Sequence, residues 1–222
     1  MNDPFKYPGF RILTVFFDEP YREFHLREIA EIVDVSPSTA KRFLDFYEAN
    51  GFLIKEKKAN LALFRADVEN NSFRFMKTAL FLFKARPLMD FLTEAYAGSS
   101  VVLYGSCARG EDGPESDVDL LIVGRRAEKM DLTRYEGMLS RRINTIVFDP
   151  QEWEKKAEED RAFYERVLVD GIVLRGTLPV VSKWTSGIAL RRGFSGRIGP
   201  ISEGVEGRWR SQRLSSKRLR RP

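Results

Sequence analysis

The sequence predicts a mixed α/β (α+β) protein built in parts, and three observations lead there. Apolar residues recur at helical spacing through the first third of the chain and again just beyond it. From about residue 99, short apolar runs of β type alternate with helical stretches, the pattern of a small mixed sheet. From Thr177 the periodicity vanishes and Gly, Ser and Arg dominate. The expected division is 1–67 for helices and a hairpin, 68–98 for a helical linker, 99–176 for the mixed-sheet domain, and 177–222 for a basic, disordered tail.

In the first part, Phe10 to Phe17 reads as a helix stopped by Asp18-Glu19-Pro20. Leu26, Ile29, Ala30 and Val33 mark a second helix, with a turn at Asp34-Val35. Ser36 as N-cap and Pro37 at the first helical position start a third, whose buried stripe is Ala40, Phe43, Leu44 and Tyr47. Asn50-Gly51 closes it, and Phe52 to Lys57 and Leu61 to Arg65 flank a turn at Lys58-Ala59-Asn60. In the linker, Phe73, Met76, Leu80 and Phe83 form one apolar stripe and Phe75, Ala79 and Leu82 a second, with a break expected at Pro87. Two stripes are more than a lone amphipathic helix needs, so the linker is expected to pack between domains and to offer a homodimer contact through residues 68–97.

The third part opens with the strand Val101 to Tyr104, which turns at Gly105-Ser106. A polar segment leads to a second apolar run carrying Asp117 and Asp119, which alternate to one face of a strand. Two such carboxylates are costly together unless a cation sits between them, and Mg²⁺ (or Mn²⁺) suits oxygen donors of this kind. Gly105 lets the backbone approach an anion, Ser106 adds a hydroxyl, and Arg109 offers a forked donor. A helix over Leu132 to Leu139 and a strand over Arg142 to Phe148 follow. Asp149-Pro150 starts a helix with Trp153, Asp160 to Asp170 buries Phe163, Val167 and Leu168, and Ile172 to Arg175 makes a last strand.

Composition narrows the classes. Of 222 residues, 43% are hydrophobic and 31% charged, as in a soluble globular protein. The single cysteine, Cys107, excludes an internal disulfide, reads as a buried filler and fits a cytoplasmic protein. His25 has no partners for a zinc site and is expected on the surface of the helices. Asp3, Pro4 and Lys6 interrupt any leader, and the apolar stretch Ala79 to Phe83 is too short to span a bilayer, so no membrane is expected. The net charge of +5 misleads: residues 177–222 hold 11 Lys+Arg against 2 Asp+Glu, and the remainder holds 26 against 30. Such a tail could hold nucleic acid electrostatically.

The run Gly105-Ser106, then Ala108-Arg109-Gly110, then Ser116-Asp117-Val118-Asp119-Leu120 resembles the signature of the nucleotidyltransferase superfamily, the DNA polymerase beta-like fold. It looks most like the minimal nucleotidyltransferases of archaea and bacteria. The resemblance implies that Asp117 and Asp119 are catalytic metal ligands, that Gly105, Ser106, Arg109 and Ser116 hold ATP or another nucleoside triphosphate, and that the acceptor is a protein such as a toxin partner, or a nucleic acid. Helices followed by a hairpin resemble a winged helix-turn-helix. That likeness implies DNA contact through Ser38, Thr39, Lys41 and Arg42 on the third helix and Lys55, Lys57 and Lys58 on the wing. Residues 1–66 nevertheless balance 10 Lys+Arg against 10 Asp+Glu, and winged helices also contact proteins.

One departure bears on catalysis. Active members of the superfamily add a third carboxylate from the strand beside the Asp-x-Asp pair, and the matching stretch here, Ile143 to Val147, carries Asn144. Asparagine offers a carbonyl oxygen but neither charge nor a proton acceptor. Asp149, roughly 16 Å along an extended strand, is too far to substitute. Glu111, Asp112 and Glu115 lie in the loop between the motif's halves and could approach a metal, though the spacing does not require it. Two readings follow. In one, the protein is an enzyme: a hydroxyl attacks the α-phosphorus of Mg–NTP and pyrophosphate leaves. In the other it is a DNA-binding transcription regulator, whose degenerate nucleotidyltransferase domain senses nucleotide or oligomerises.

Overall fold

The computed structural model describes residues 6–58, 60–124 and 130–181. The predicted turn residue Ala59 and the tail from residue 182 onward lie outside them.

The N-terminal helices form where their caps and stripes predict. α1 (Pro8–Asp18) starts with proline in its first turn and buries Ile12, Leu13, Phe16 and Phe17. α2 (Leu26–Val33) follows the two-residue strand β1 (Phe24–His25). His25 is its N-cap: the ring Nδ1 accepts the amide of Glu28 at 3.1 Å, so the sole histidine serves the backbone rather than a plain surface position. In α3 (Pro37–Ala49) Ser36 caps through the amide of Thr39, as expected, while Phe43 and Tyr47 of the predicted stripe are only part-buried. Strands β2 (Leu53–Lys58) and β3 (Leu61–Ala66) pair antiparallel, and β1 adds to the free edge of β3. The core between helices and sheet centres on Phe16, Phe17, Phe24, Phe64 and Phe73. Each such ring contributes on the order of 1.5–3 kcal/mol by leaving water.

The linker is two helices, α4 (Asn71–Lys84) and α5 (Arg86–Ala95), broken at Ala85 with Pro87 at the start of the second. Its stripes differ from expectation. Phe73 and Leu80 are buried, but Phe75 and Phe83 are 74% and 58% exposed, and Met76 is exposed too. The covered face of α4 is instead Phe73, Lys77, Thr78, Leu80 and Phe81. Two polar groups sit there because residues from the next part of the chain bond to them. α4 thus shares both cores: Phe73 and Leu80 belong to the first, and Phe81 to the second.

The second core lies on a four-stranded sheet in the order β6-β5-β4-β7. β4 (Ser100–Tyr104) pairs antiparallel with β5 (Val118–Val123) and β7 (Ile172–Arg175), and β5 runs parallel to β6 (Ile143–Phe148). The helices are α6 (Gly105–Arg109), α7 (Thr133–Leu139), α8 (Pro150–Glu159) and α9 (Arg161–Asp170). Asp149 and Glu152 form a capping box on α8. α9 buries Tyr164, Val167 and Leu168, while Phe163 is only part-buried, its ring meeting Tyr104 edge-on. Among the described residues no helix is long and apolar enough to cross a membrane.

Candidate functional site

The site forms at one end of the sheet, where β4 turns into α6 beside β5. Asp119 sits in β5 opposite Tyr104 on one side and Asn144 on the other. Asp117 lies just ahead of the strand, with its neighbour Val118 tied to Arg142 by a 2.8 Å backbone bond. The Asn144 amide donates to Asp117 Oδ2 at 3.0 Å and to Asp119 Oδ1 at 3.4 Å. One amide therefore bridges both carboxylates, from the register position where the sequence signature places a third acid. Gly105, at φ +76°, enters the left-handed region, and a Cβ there would collide with the Asp119 carboxylate. Glycine is required on both counts.

Burial raises the Asp119 carboxyl above the usual carboxylate range; the charge of Asp117 adds to this, against the hydrogen bond from Asn144. Burial likewise pushes the Tyr104 hydroxyl up to about 12, with the Asp119 charge contributing. Beside Asp119 is a cavity of about 210 Å³ lined by Tyr104, Gly105, Arg109, Phe163, Arg166 and Asp170. Arg109 faces it, but Glu111 Oε2 holds its Nε at 2.7 Å and Asp170 lies 3.7 Å from NH1. Arg166, one turn before Asp170 on α9, is a second arginine on the same wall. Sequence reasoning missed it, together with the Tyr104–Phe163 ring pair at 5.5 Å, because α9 reaches the site only through tertiary packing.

The remaining signature residues serve the loop. The Ser106 carbonyl accepts the amides of Gly110 and Glu111. The Ser116 hydroxyl accepts the amide of Gly113 at 2.9 Å. Cys107 is fully buried, as expected, with Sγ donating to the Asp117 carbonyl at 3.4 Å, and burial pushes its thiol up to about 12. The acidic loop differs from expectation. Glu111 is held by Arg74 and Arg109, while Asp112 is buried with Lys77 and Arg141. Cationic neighbours thus claim both, leaving only exposed Glu115 without a partner on this loop among the described residues.

In the N-terminal half the candidate DNA-contacting residues are largely paired within the fold. Lys41 bonds Asp45, and Lys55 approaches the same carboxylate at 3.4 Å. Lys58 bonds Glu23 at 2.7 Å. Arg42 lies over the Phe43 ring at 4.9 Å, and Ser38 and Thr39 share hydrogen bonds with the Ser36 hydroxyl. Lys57 is exposed, with no ion pair among the described residues.

Residues 86–173 match the family model of the nucleotidyltransferase domain. The match begins at Arg86 and takes in α5 as well as the sheet. A solved structure of a candidate nucleotidyltransferase from Sulfolobus solfataricus is 22% identical, covering 45% of this chain and 84% of that one at a TM-score of 0.26. A candidate transcriptional regulator from Rhodococcus sp. RHA1 is also 22% identical, covering 44% of this chain at a TM-score of 0.26, and the chain spans only 38% of that protein's length. No curated protein matches the chain.

Proposed function

We propose that the nucleotidyltransferase domain binds a magnesium-bound nucleoside triphosphate at Asp117 and Asp119, and that the N-terminal helices and hairpin form a winged helix that contacts DNA. The observation that carries the first half is the carboxylate pair beside Gly105, bridged by a neutral amide, with Asp119 on the wall of a cavity that two arginines also line. Two neighbouring carboxylates with no cationic partner among the described residues suit a bound cation.

The donor set fits one ion. Two carboxylates with the Asn144 carbonyl, its amide turned over, offer three oxygens, and Mg²⁺ takes its other ligands from water and phosphate. Asp117, Asp119 and Asn144 would hold it, and its chemistry when bound is to neutralise polyphosphate charge. The chain's own residues do the rest. Gly105 lets the Asp119 carboxylate sit against the turn, Arg109 and Arg166 would meet phosphates in the cavity they line, and Tyr104 and Phe163 would offer ring faces and edges to a base.

Transfer is the weaker part of this activity, and Asn144 is the reason. A hydroxyl attacking the α-phosphorus needs its proton taken, and at this position the amide cannot accept one. The site is therefore a better nucleotide binder than a transferase, which favours sensing of nucleotide by a DNA-binding regulator over rapid modification of a protein.

The test pairs binding with transfer. Labelled ATP with Mg²⁺ or Mn²⁺, alone and with cell extract, is followed for label on protein or RNA, alongside thermal stabilisation of the protein. Stabilisation lost in Asp119→Ala, with little or no transfer, is the expected result. Label transferred rapidly by the native protein and absent with Asp119→Ala would make it a working transferase. For the DNA half, a mobility shift on the protein's own promoter should weaken in Arg42→Ala. An unchanged shift would move the contact off α3.

A further inference from the structure

α4 does more than join two cores. Along one face it grips the loop between the two halves of the signature. Gly110 sits at φ +67°, and a Cβ there would collide with the Arg74 carbonyl, so helix and loop meet backbone to backbone. Arg74 NH1 lies 3.3 Å from Glu111, and the Thr78 hydroxyl donates to the Cys107 carbonyl at 3.4 Å. Between them lies Lys77, 3% exposed, whose Nζ donates to the Asp112 carbonyl and stands 3.4 Å from Asp112 Oδ1.

The contacts continue past Asp112, itself 2% exposed. Its Oδ2 accepts Arg141 NH1 at 2.7 Å, and the same NH1 reaches Cys107 Sγ at 3.4 Å. Cys107 in turn donates to the carbonyl of Asp117, a member of the carboxylate pair. A buried Lys–Asp–Arg cluster is a poor way to gain stability, since apolar side chains of similar volume do as well or better. Burial also drives the Lys77 ammonium below its ordinary range, against the attraction of Asp112. Each member nonetheless holds a different segment: α4, the signature loop, and the entry to β6.

We propose that Lys77 is a positioning residue for the carboxylate site: through Asp112, Arg141 and Cys107 it fixes the backbone at Asp117, so nucleotide affinity depends on the seating of α4. α4 also carries Phe73 and Leu80 of the N-terminal core. This inference rests on the nucleotide reading above.

The test measures Mg-ATP affinity by calorimetry for the native protein, Lys77→Met and Leu44→Ala, with urea stability measured in parallel. Leu44 lies on α3 in the N-terminal core and is no member of the Lys77–Asp112–Arg141 cluster, so its variant controls for loss of stability. Lys77→Met should weaken Mg-ATP by about tenfold or more, as loss of an outer-shell partner does, while Leu44→Ala stays within about twofold of native because it removes packing remote from the site. Hydrogen exchange on the native protein needs no variant: saturating Mg-ATP should slow amide exchange at residues 74–78 of α4 and at 110–112. Native binding with equal affinity in Lys77→Met, or with no protection at those segments, overturns the positioning role and leaves the nucleotide reading standing. No binding by the native protein overturns both.

Discussion

The two halves of this chain treat charge in opposite ways. In the N-terminal half, the exposed lysines that a winged helix would turn toward DNA are answered from within the fold: Lys41 and Lys55 by Asp45, and Lys58 by Glu23. In the part that matches the nucleotidyltransferase model, Asp117 and Asp119 meet a neutral amide and no cation among the described residues, while cations nearby are spent on other acids such as Glu111 and Asp112. A carboxylate perturbed by burial beside a cavity marks a candidate ligand site, whereas an unpaired charge in open solvent does not. The contrast therefore supports the carboxylate site more firmly than the DNA face.

The largest effect should come from removing the unanswered charge. Asp119→Ala should weaken Mg-ATP by at least about 100-fold, since a metal-binding carboxylate carries most of the ion's affinity. Isothermal calorimetry measures it, and retention of native affinity would mean that the pair is a structural feature like Asp112. Gly105→Ala comes next. It meets both a left-handed backbone and the Asp119 carboxylate, so it should cost more than about 1 kcal/mol in urea unfolding and reduce nucleotide binding with it. An unaltered variant would show that the turn tolerates a side chain.

The N-terminal half can be pushed the other way. Asp45→Asn frees Lys41 and Lys55 from their internal partner, and should strengthen DNA binding by about two- to fivefold at low salt with a steeper salt dependence. A loss of binding in a mobility-shift titration would mean that Asp45 orients those lysines productively, and the contrast between the halves would narrow.

The smallest effect concerns pH. The Asp119 carboxyl is raised in the folded protein, so its charge opposes folding above that raised value, and the penalty disappears as pH falls toward the ordinary carboxylate value of 3.8. Asp119→Asn should therefore stabilise the ligand-free protein at pH 7, by under about 1 kcal/mol because the group is part-exposed and screened. The gain should shrink on acidification. Urea melts at both ends of that range test it, and a gain that grows as pH falls would reverse the assigned direction.

How much of this was legible in the sequence depended on whether the cause was local. Ser36 with Pro37, Asp149 with Pro150, and the break at Pro87 are signals that act within one turn of helix, and the elements begin where they predict. The register of Asn144 against Asp119 followed from matching a short signature. The covered face of α4 did not: Lys77 and Thr78 are buried by a loop some thirty residues on, while Phe75 and Phe83 are left exposed. The spacing left the acids of that loop free to approach a metal without requiring it, and only the fold shows that cations on α4 and before β6 claim Glu111 and Asp112. Arg166 was invisible for the same reason, since only the packing of α9 brings it beside Asp119.

The central claim is that two acids share one amide because a cation carrying polyphosphate completes them. Titration of the native protein with each common nucleoside triphosphate in the presence of magnesium tests it most directly. Saturable heat for at least one of them, abolished when magnesium is chelated, is the predicted result. A flat titration for all of them, on protein shown to be folded, would contradict it.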